Sequence, residues 1–182
     1  MSGNNPEHAE RTAFLADFAD RWLAAWNSHD TDRVLDLLHD DIIWDDRVFW
    51  TEIIYGRDAM TAYVDKIWDA MPDVSFVEIE RFFSPEHLRG VVLFRQTGHG
   101  PTGLNPDKTF DQHGCDIFLR FADGKLAHYL SEYDIVGMLE QLEALPARGN
   151  RLGGAYVMSL LGAQHRRQFR KGHHDTVPIP DH

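Results

Sequence analysis

The sequence is poor in cysteine and lacks any long apolar run. Its single cysteine, Cys115, cannot form a disulfide within the chain, and no CxxC pair is present to hold zinc. No apolar run approaches the ~20 residues that span a bilayer. The first residues also lack the basic and apolar regions of a secretory signal. We therefore expect a cytoplasmic protein without a membrane segment.

Positive charge is also scarce. The chain has 18 Lys and Arg residues against 29 Asp and Glu, a formal net charge of -11. Because like charges repel, non-specific binding to nucleic acid or to an anionic membrane is disfavoured. The 11 histidines are scattered without HExxH or similar spacing, so we expect no metal site. Hydrophobic residues make up 43% of the 182 residues, enough to bury the core of one domain.

The first part of the sequence has the apolar spacing of helices. Asn5-Pro6 is a typical helix start, with Asn as the N-cap and Pro at the first helical position. An apolar stripe then recurs at three- and four-residue steps: Phe14, Leu15, Phe18, Trp22, Leu23 and Trp26. Three further elements are predicted: a short helix after 27–30 carrying Val34, Leu37 and Leu38, a strand over 41–49, and a helix between Gly56 and Pro72.

The second part has the pattern of strands. Runs rich in β-branched and aromatic residues predict four strands, over 74–83, 88–97, 109–121 and 126–133, with a closing helix over 135–145. Helices followed by a strand meander predict an α+β domain over 1–145, with helices packed on one face of an antiparallel sheet. A C-terminal extension, 146–182, carries a further helical pattern that Gly153-Gly154 weakens: Leu152, Tyr156, Leu160 and Leu161.

The dipeptide Asp123-Gly124 between two strand patterns predicts a two-residue hairpin turn, which fixes the register of the last two strands. On one face the predicted cross-strand pairs are Asp116–Ser131, Phe118–Tyr129 and Gly114–Tyr133. On the other face they are His113–Asp134, Cys115–Glu132 and Ile117–Leu130. Periodicity alone leaves open which face lines a pocket.

Four segments together match a known family in order and spacing: WNSHD at 26–30, GHG at 98–100, RFADGKL at 120–126 and DIVGMLEQL at 134–142. The sequence resembles the SnoaL-like polyketide cyclases, within the wider superfamily of ketosteroid isomerase, scytalone dehydratase and limonene epoxide hydrolase. The resemblance covers roughly residues 10 to 145. The fold that it implies is a curved antiparallel sheet wrapped around helices, a cone with a deep apolar pocket.

The resemblance implies positions for two catalytic carboxyl groups. Asp46 falls on the general base of ketosteroid isomerase, and Asp116, eight residues before Gly124, falls on its protonated aspartic acid, which donates to the substrate oxyanion. Two positions depart from the relatives. Trp22 stands where the isomerase has its oxyanion-hole tyrosine, and Ser131 stands where many cyclases and epoxide hydrolases place a catalytic aspartate.

Each assignment has a structural alternative. Asp46 and Asp116 are otherwise solvated surface residues. His113 facing Asp134 would form an acid/base dyad, whereas Asp134 alternatively caps the closing helix through the amides of Val136 or Gly137. Arg95 with Gln96 fits either an Arg-carboxylate system that activates water or an exposed strand arginine. The remaining candidates line a pocket or fill the core: Trp22, Trp26, Tyr63, Phe118, Tyr129, Ser131 and Tyr133.

The resemblance implies an enzyme without a cofactor that cyclises, isomerises or dehydrates an apolar, carbonyl-bearing small molecule, polyketide- or terpenoid-like. In this hypothesis Asp46 accepts the proton and Asp116, helped by Trp22 or His113, donates to the oxyanion. Two alternatives stay open: addition of water to an epoxide, and a non-catalytic ligand-binding or scaffold domain. The relatives also imply a homodimer, in which the C-terminal extension covers the mouth of the cone or packs on the partner subunit.

Overall fold

The computed structural model describes residues 6–50, 52–100, 105–146, 149–150, 156 and 158–159. The chain divides into two compact units, residues 1–145 and 146–182. In the second unit, the Tyr156 hydroxyl donates to the Pro146 carbonyl oxygen at 2.8 Å. Three positions of the helix predicted there, Leu152, Leu160 and Leu161, lie outside the described residues. The fold below is that of the first unit.

Four helices and six strands form the described part of the first unit. The helices are α1 (Pro6–Asn27), α2 (Thr31–Leu35), α3 (Arg57–Ala70) and α4 (Ile135–Gln141). The strands are β1 (Leu38–Asp45), β2 (Ile54–Tyr55), β3 (Ser75–Ser84), β4 (Arg89–His99), β5 (Thr109–Ala122) and β6 (Lys125–Tyr133). No helix of the described residues has the length and apolarity needed to cross a membrane.

Local chemistry explains where several elements begin and end. The Asp30 carboxylate caps α2 by accepting from the backbone N–H groups of Asp32 and Arg33, at 3.0 and 3.3 Å. The predicted second helix is too long, because Leu38 already belongs to β1, where it pairs with β6. The predicted strand over 41–49 is too long as well. It stops at Asp45 because the chain turns there, with the Asp46 carbonyl oxygen accepting from the Phe49 amide at 3.0 Å.

The six strands form one curved sheet in the order β2-β1-β6-β5-β4-β3. Neighbouring strands are antiparallel except β1 and β6, which run parallel. The predicted α+β architecture with a curved antiparallel sheet is confirmed, with β1 and β6 as the one parallel pair. The hairpin register is confirmed at five of the six predicted pairs: Asp116–Ser131, Phe118–Tyr129, Gly114–Tyr133, Cys115–Glu132 and Ile117–Leu130.

Aromatic side chains from α1 fill the space that the sheet encloses. The Trp22 ring lies at the centre of the cluster, with five ring centroids 5.3–6.0 Å away: Phe18, Trp26, Trp44, Phe118 and Tyr129. Such tilted and edge-to-face contacts add to the hydrophobic stabilisation of the core. The predicted stripe of α1 is thus the face that packs on the sheet, and the core ends at a cavity.

Candidate active site

A cavity of about 590 Å³, counting its open mouth, lies between the sheet and helices α1, α3 and α4. Most of the wall is apolar, as at Trp26, Ile67 and Met71. Its polar lining residues, which decide the chemistry, are Asp46, Tyr63, Gln96, Gln112, Asp116, Tyr129, Ser131 and Tyr133.

Asp46 directly follows β1 and is buried, with 4% of its surface exposed. Its Oδ1 accepts a hydrogen bond from the Tyr133 hydroxyl at 3.0 Å, and its Oδ2 accepts one from the Tyr63 hydroxyl. Burial raises the pKa of Asp46 to about 6, and the two tyrosine hydrogen bonds partly oppose that rise. The alternative of a solvated turn residue is therefore wrong.

The neighbouring Asp45 has the opposite environment. Its carboxylate forms a two-point ion pair with Arg47, with Nε–Oδ1 and Nη2–Oδ2 distances of 2.8 Å. The Arg47 guanidinium lowers the pKa of Asp45. Adjacent residues thus supply one carboxyl group with a lowered pKa outside the cavity and one with a raised pKa within it. Environments that drive two carboxyl groups apart in pKa are typical of acid/base sites.

Asp116 is the second buried carboxyl group of the cavity, with 6% of its surface exposed. The Trp22 indole Nε1 donates to its Oδ2 at 2.8 Å, and the Tyr129 hydroxyl donates to its Oδ1. Burial raises the pKa of Asp116 to about 6, the hydrogen bonds from Tyr129 and Trp22 oppose that rise, and the charge of nearby Asp46 adds to it.

Pairing of β1 with β6 explains why the two carboxyl groups share one cavity. Trp44 and Asp45 of β1 pair with Tyr129 and Leu130 of β6, so Asp46 follows at the level of Ser131. Ser131 in turn pairs with Asp116 on β5. Two strand spacings therefore separate the backbones of Asp46 and Asp116, about 10 Å, with Ser131 between them.

Three tyrosines, two of them buried and Tyr133 half-buried, stay neutral beside these carboxyl groups. Burial, followed by the charge of the adjacent aspartate, raises the pKa of Tyr63, Tyr129 and Tyr133 well above the ordinary value. They consequently act as hydroxyl donors. The sequence pattern placed all three in the pocket wall but gave no signal that they hold the carboxyl groups.

Several predicted site residues have other positions. His113 is exposed and points away from the cavity, on the face of β5 opposite to that of Asp116. Asp134 caps α4, accepting from the Gly137 amide at 2.9 Å, and no contact between these two side chains is present in the described residues. The predicted His113–Asp134 dyad is therefore wrong, and the capping alternative is confirmed. Phe118 is fully buried in the core against Phe18 and does not line the cavity.

The structure also decides the roles considered for Trp22 and Arg95. Trp22 lines the cavity with Trp26, but its indole N–H is already bound to Asp116, so it does not donate directly to an oxyanion. Arg95 lies on the outside, where its Nε bonds the Asp111 carboxylate at 2.7 Å. The exposed-arginine alternative is confirmed, and the described cavity lining contains no arginine. Within the described residues, no cluster of His, Cys, Asp and Glu has the geometry of a metal site.

A family model for the SnoaL-like domain matches residues 19–129, more than half of the chain. The chain belongs to the SnoaL-like domain family. No curated protein matches it. The resemblance found in the sequence is thereby confirmed at the level of the family.

Solved structures support the same fold for this SnoaL-like domain. A phenazine biosynthesis-related protein from Pseudomonas aeruginosa is 17% identical, with a TM-score of 0.67 over 84% of this chain and 94% of that one. A candidate polyketide cyclase from Pseudomonas putida is 22% identical, with a TM-score of 0.62 over 70% and 96%. A protein with a ketosteroid isomerase-like fold from Catenulispora acidiphila is 16% identical, with a TM-score of 0.61 over 71% and 93%.

Proposed function

We propose that this SnoaL-like domain is a cofactor-independent enzyme that binds an apolar, carbonyl-bearing small molecule and transfers a proton on it. The observation that carries the proposal is the pair of buried carboxyl groups, Asp46 and Asp116, in one apolar cavity, each with a pKa raised to about 6. Groups that titrate near neutral pH both take and give protons readily there.

Asp46 is the proton acceptor in this proposal. With a pKa near 6 it is largely ionised at neutral pH, yet it is a stronger base than an exposed aspartate. The hydroxyl groups of Tyr63 and Tyr133 hold its two oxygens in place. Such positioning reduces the reorganisation that proton transfer from a carbon next to a carbonyl requires.

Asp116 supplies the acid. Its pKa of about 6 equals that of Asp46, so a minority of molecules carry the proton on Asp116 at neutral pH, and the charge of ionised Asp46 favours that protonated form. The Trp22 N–H donates to Oδ2 and the Tyr129 hydroxyl donates to Oδ1. A proton that Asp116 gains in the proposed reaction therefore goes to Oδ1 and reverses the hydrogen bond with Tyr129. When Asp116 donates to Tyr129, the Tyr129 hydroxyl proton is free to bind the developing substrate oxyanion.

The chemistry follows from one balanced step. A C–H bond next to the carbonyl breaks, its proton passes to Asp46, and its electron pair forms an enolate whose oxygen is stabilised by the Tyr129–Asp116 pair. Return of the proton to another carbon gives isomerisation, attack of the enolate carbon on a carbonyl gives cyclisation, and expulsion of a β-hydroxyl gives dehydration. These are the reaction types that the proposal covers.

Epoxide hydrolysis has less support. It requires a carboxylate-Arg-carboxylate array around a water, whereas Ser131 stands between the two aspartates and Arg95 lies on the outside. Non-catalytic ligand binding remains the second candidate, favoured by the apolar wall of the cavity alone. It predicts tight binding of small molecules without proton exchange.

Two assignments accompany the proposal. The first is a homodimer, supported by exposed apolar side chains on strand β3, where Val77, Ile79 and Phe82 are 52–60% exposed. Sedimentation of the wild type and of Val77→Lys tests it, because a monomeric wild type would contradict it. The second is a cytoplasmic location, supported by the lone Cys115, which leaves no disulfide to form within the chain.

Deuterium incorporation tests the proposed reaction. The protein is incubated in D₂O with 1-tetralone, 2-tetralone and 3-methylcyclohex-2-enone, and exchange next to the carbonyl is followed by NMR. We expect the wild type to exchange faster than buffer alone. Asp46→Asn should abolish this exchange, whereas the control Asp41→Asn, at an exposed position of β1, should retain it. Exchange that does not exceed the buffer rate, or that survives in Asp46→Asn, contradicts the proposal.

A further inference from the structure

A second polar group lies in the cavity, apart from the aspartates. Gln96 on β4 and Gln112 on β5 are paired residues of neighbouring strands, and both line the cavity. They are buried, with 6% and 5% of their surface exposed. The Gln112 amide Nε2 donates to Oε1 of Gln96 at 2.6 Å. Buried amides in an apolar wall require such partners.

One acceptor oxygen of this glutamine pair has no hydrogen-bond donor. Within the described part of the chain, Oε1 of Gln112 is buried and has no hydrogen-bond partner. Its amide orientation is set from two sides, because Nε2 also faces the Met138 sulfur at 3.7 Å, and a thioether accepts but cannot donate. A buried carbonyl oxygen without a donor is unfavourable. A donor on a ligand in the cavity would satisfy it.

The position of Gln112 relative to the aspartates is fixed by β5. Gln112 and Asp116 lie four residues apart on the same face of one strand, so their Cα atoms are about 13 Å apart. Between them is Gly114, where a Cβ atom would come within 2.6 Å of the Phe94 ring. An apolar stretch, occupied by Phe94, therefore separates the two polar ends of the cavity.

We propose that Gln112 is a specificity-determining residue whose Oε1 accepts a hydrogen bond from a hydroxyl or N–H group at the end of the substrate remote from its reacting carbonyl. The inference rests on the proposed function for the carbonyl end. It narrows the substrate class to molecules with a flat apolar body, a carbonyl at one end and a hydroxyl or N–H donor at the other.

Two matched probes test the assignment: 6-hydroxy-1-tetralone, which carries the donor, and 6-methoxy-1-tetralone, which does not. Dissociation constants are measured by ligand-observed NMR for the wild type and for the nearly isosteric variant Gln112→Met. We expect the wild type to bind the hydroxy probe about tenfold more tightly than the methoxy probe. In Gln112→Met the two affinities become equal, because the hydroxy probe is weakened and the methoxy probe is not.

The methoxy probe also reports folding, since a damaged cavity would weaken both probes. A wild type without preference for the hydroxy probe overturns the inference, as does a preference that persists in Gln112→Met. Asp46→Asn separates this result from the proposed reaction. That variant keeps the preference for the hydroxy probe even where proton exchange is lost, because binding at Gln112 does not require the base.

Discussion

The indole N–H of Trp22 donates to Oδ2 of Asp116 at 2.8 Å, joining helix α1 to strand β5 across 94 residues of sequence. Both side chains are buried, so the bond is protected from competing water. It leaves the other oxygen, Oδ1, with the Tyr129 hydroxyl. In the proposed reaction, the tryptophan therefore determines which oxygen of Asp116 exchanges a proton with Tyr129.

Replacing the acid tests this arrangement directly. In Asp116→Asn the amide keeps the shape but cannot hold the shared proton, so we expect ketone proton exchange to fall about tenfold or more. The thermal transition should remain cooperative. Asp111→Asn, on the exposed face of the same strand, is the matched control. Wild-type exchange in Asp116→Asn would show that Asp116 is not the acid.

Whether the sequence predicts a residue of this site depends on how far apart in the sequence its interaction partners lie. The Asp123-Gly124 turn is a local feature. The register that it fixes correctly pairs Asp116 with Ser131 and places Tyr133 opposite the same strand, β5. Asp46 was identified only through the family resemblance, because its burial depends on the parallel pairing of β1 with a strand some 80 residues later. No local pattern predicts that pairing.

The contacts that the sequence did not predict have a similar explanation. Tyr63 was a pocket candidate, but its hydrogen bond to Asp46 depends on how α3 packs on the sheet. Gln112 could have been found, because it lies four residues before Asp116 on the same strand and so on the same face. The His113 assignment failed because β6 ends before Asp134, which caps α4.

The hydroxyl groups around Asp46 should tune its pH dependence. The hydrogen bond from Tyr133 lowers the pKa of Asp46, so Tyr133→Phe should raise that pKa above about 6. Because the ionised form is the base, the midpoint of the exchange rate against pH should move to higher pH. Tyr55→Phe, at an exposed tyrosine, should leave the midpoint unchanged. A shift to lower pH in Tyr133→Phe would contradict the role of Asp46 as base.

The two raised pKa values also predict how stability depends on pH. Asp46 and Asp116 hold protons in the folded state up to about pH 6, whereas in the unfolded chain they ionise near 3.8. Their contribution to the free energy of unfolding is therefore complete below pH 3.8 and is lost as pH rises through 6. Each shift of about two pH units corresponds to roughly 3 kcal/mol at most.

Denaturant titrations at several pH values measure this effect. The wild type should lose free energy of unfolding between pH 3.8 and about pH 6, the interval between the unfolded and folded pKa values. Asp116→Asn should lose about 1–3 kcal/mol less over the same interval. Equal slopes for the wild type and the variant would mean that the carboxyl group is not desolvated in the folded state.

Asp134 provides a test that separates structure from catalysis. Its carboxylate caps α4, so Asp134→Ala should lower the free energy of unfolding by about 1 kcal/mol. Because Asp134 lies outside the cavity, the exchange rate per folded molecule should not change. Asp134→Ser, which keeps a capping oxygen, should recover most of the stability. Loss of exchange in both variants would instead show that Asp134 takes part in the reaction.

The parallel pairing of β1 and β6 determines which carboxyl group enters the cavity. Side chains alternate between the two faces of a strand, so Asp45 and Asp46 point in opposite directions and only one enters the cavity. A slip of β1 by one residue against β6 would turn the Arg47-bound carboxylate inward and the titrating one outward. A doubled aspartate thus gives the chain two chemically different groups at adjacent positions, and strand alignment alone selects between them.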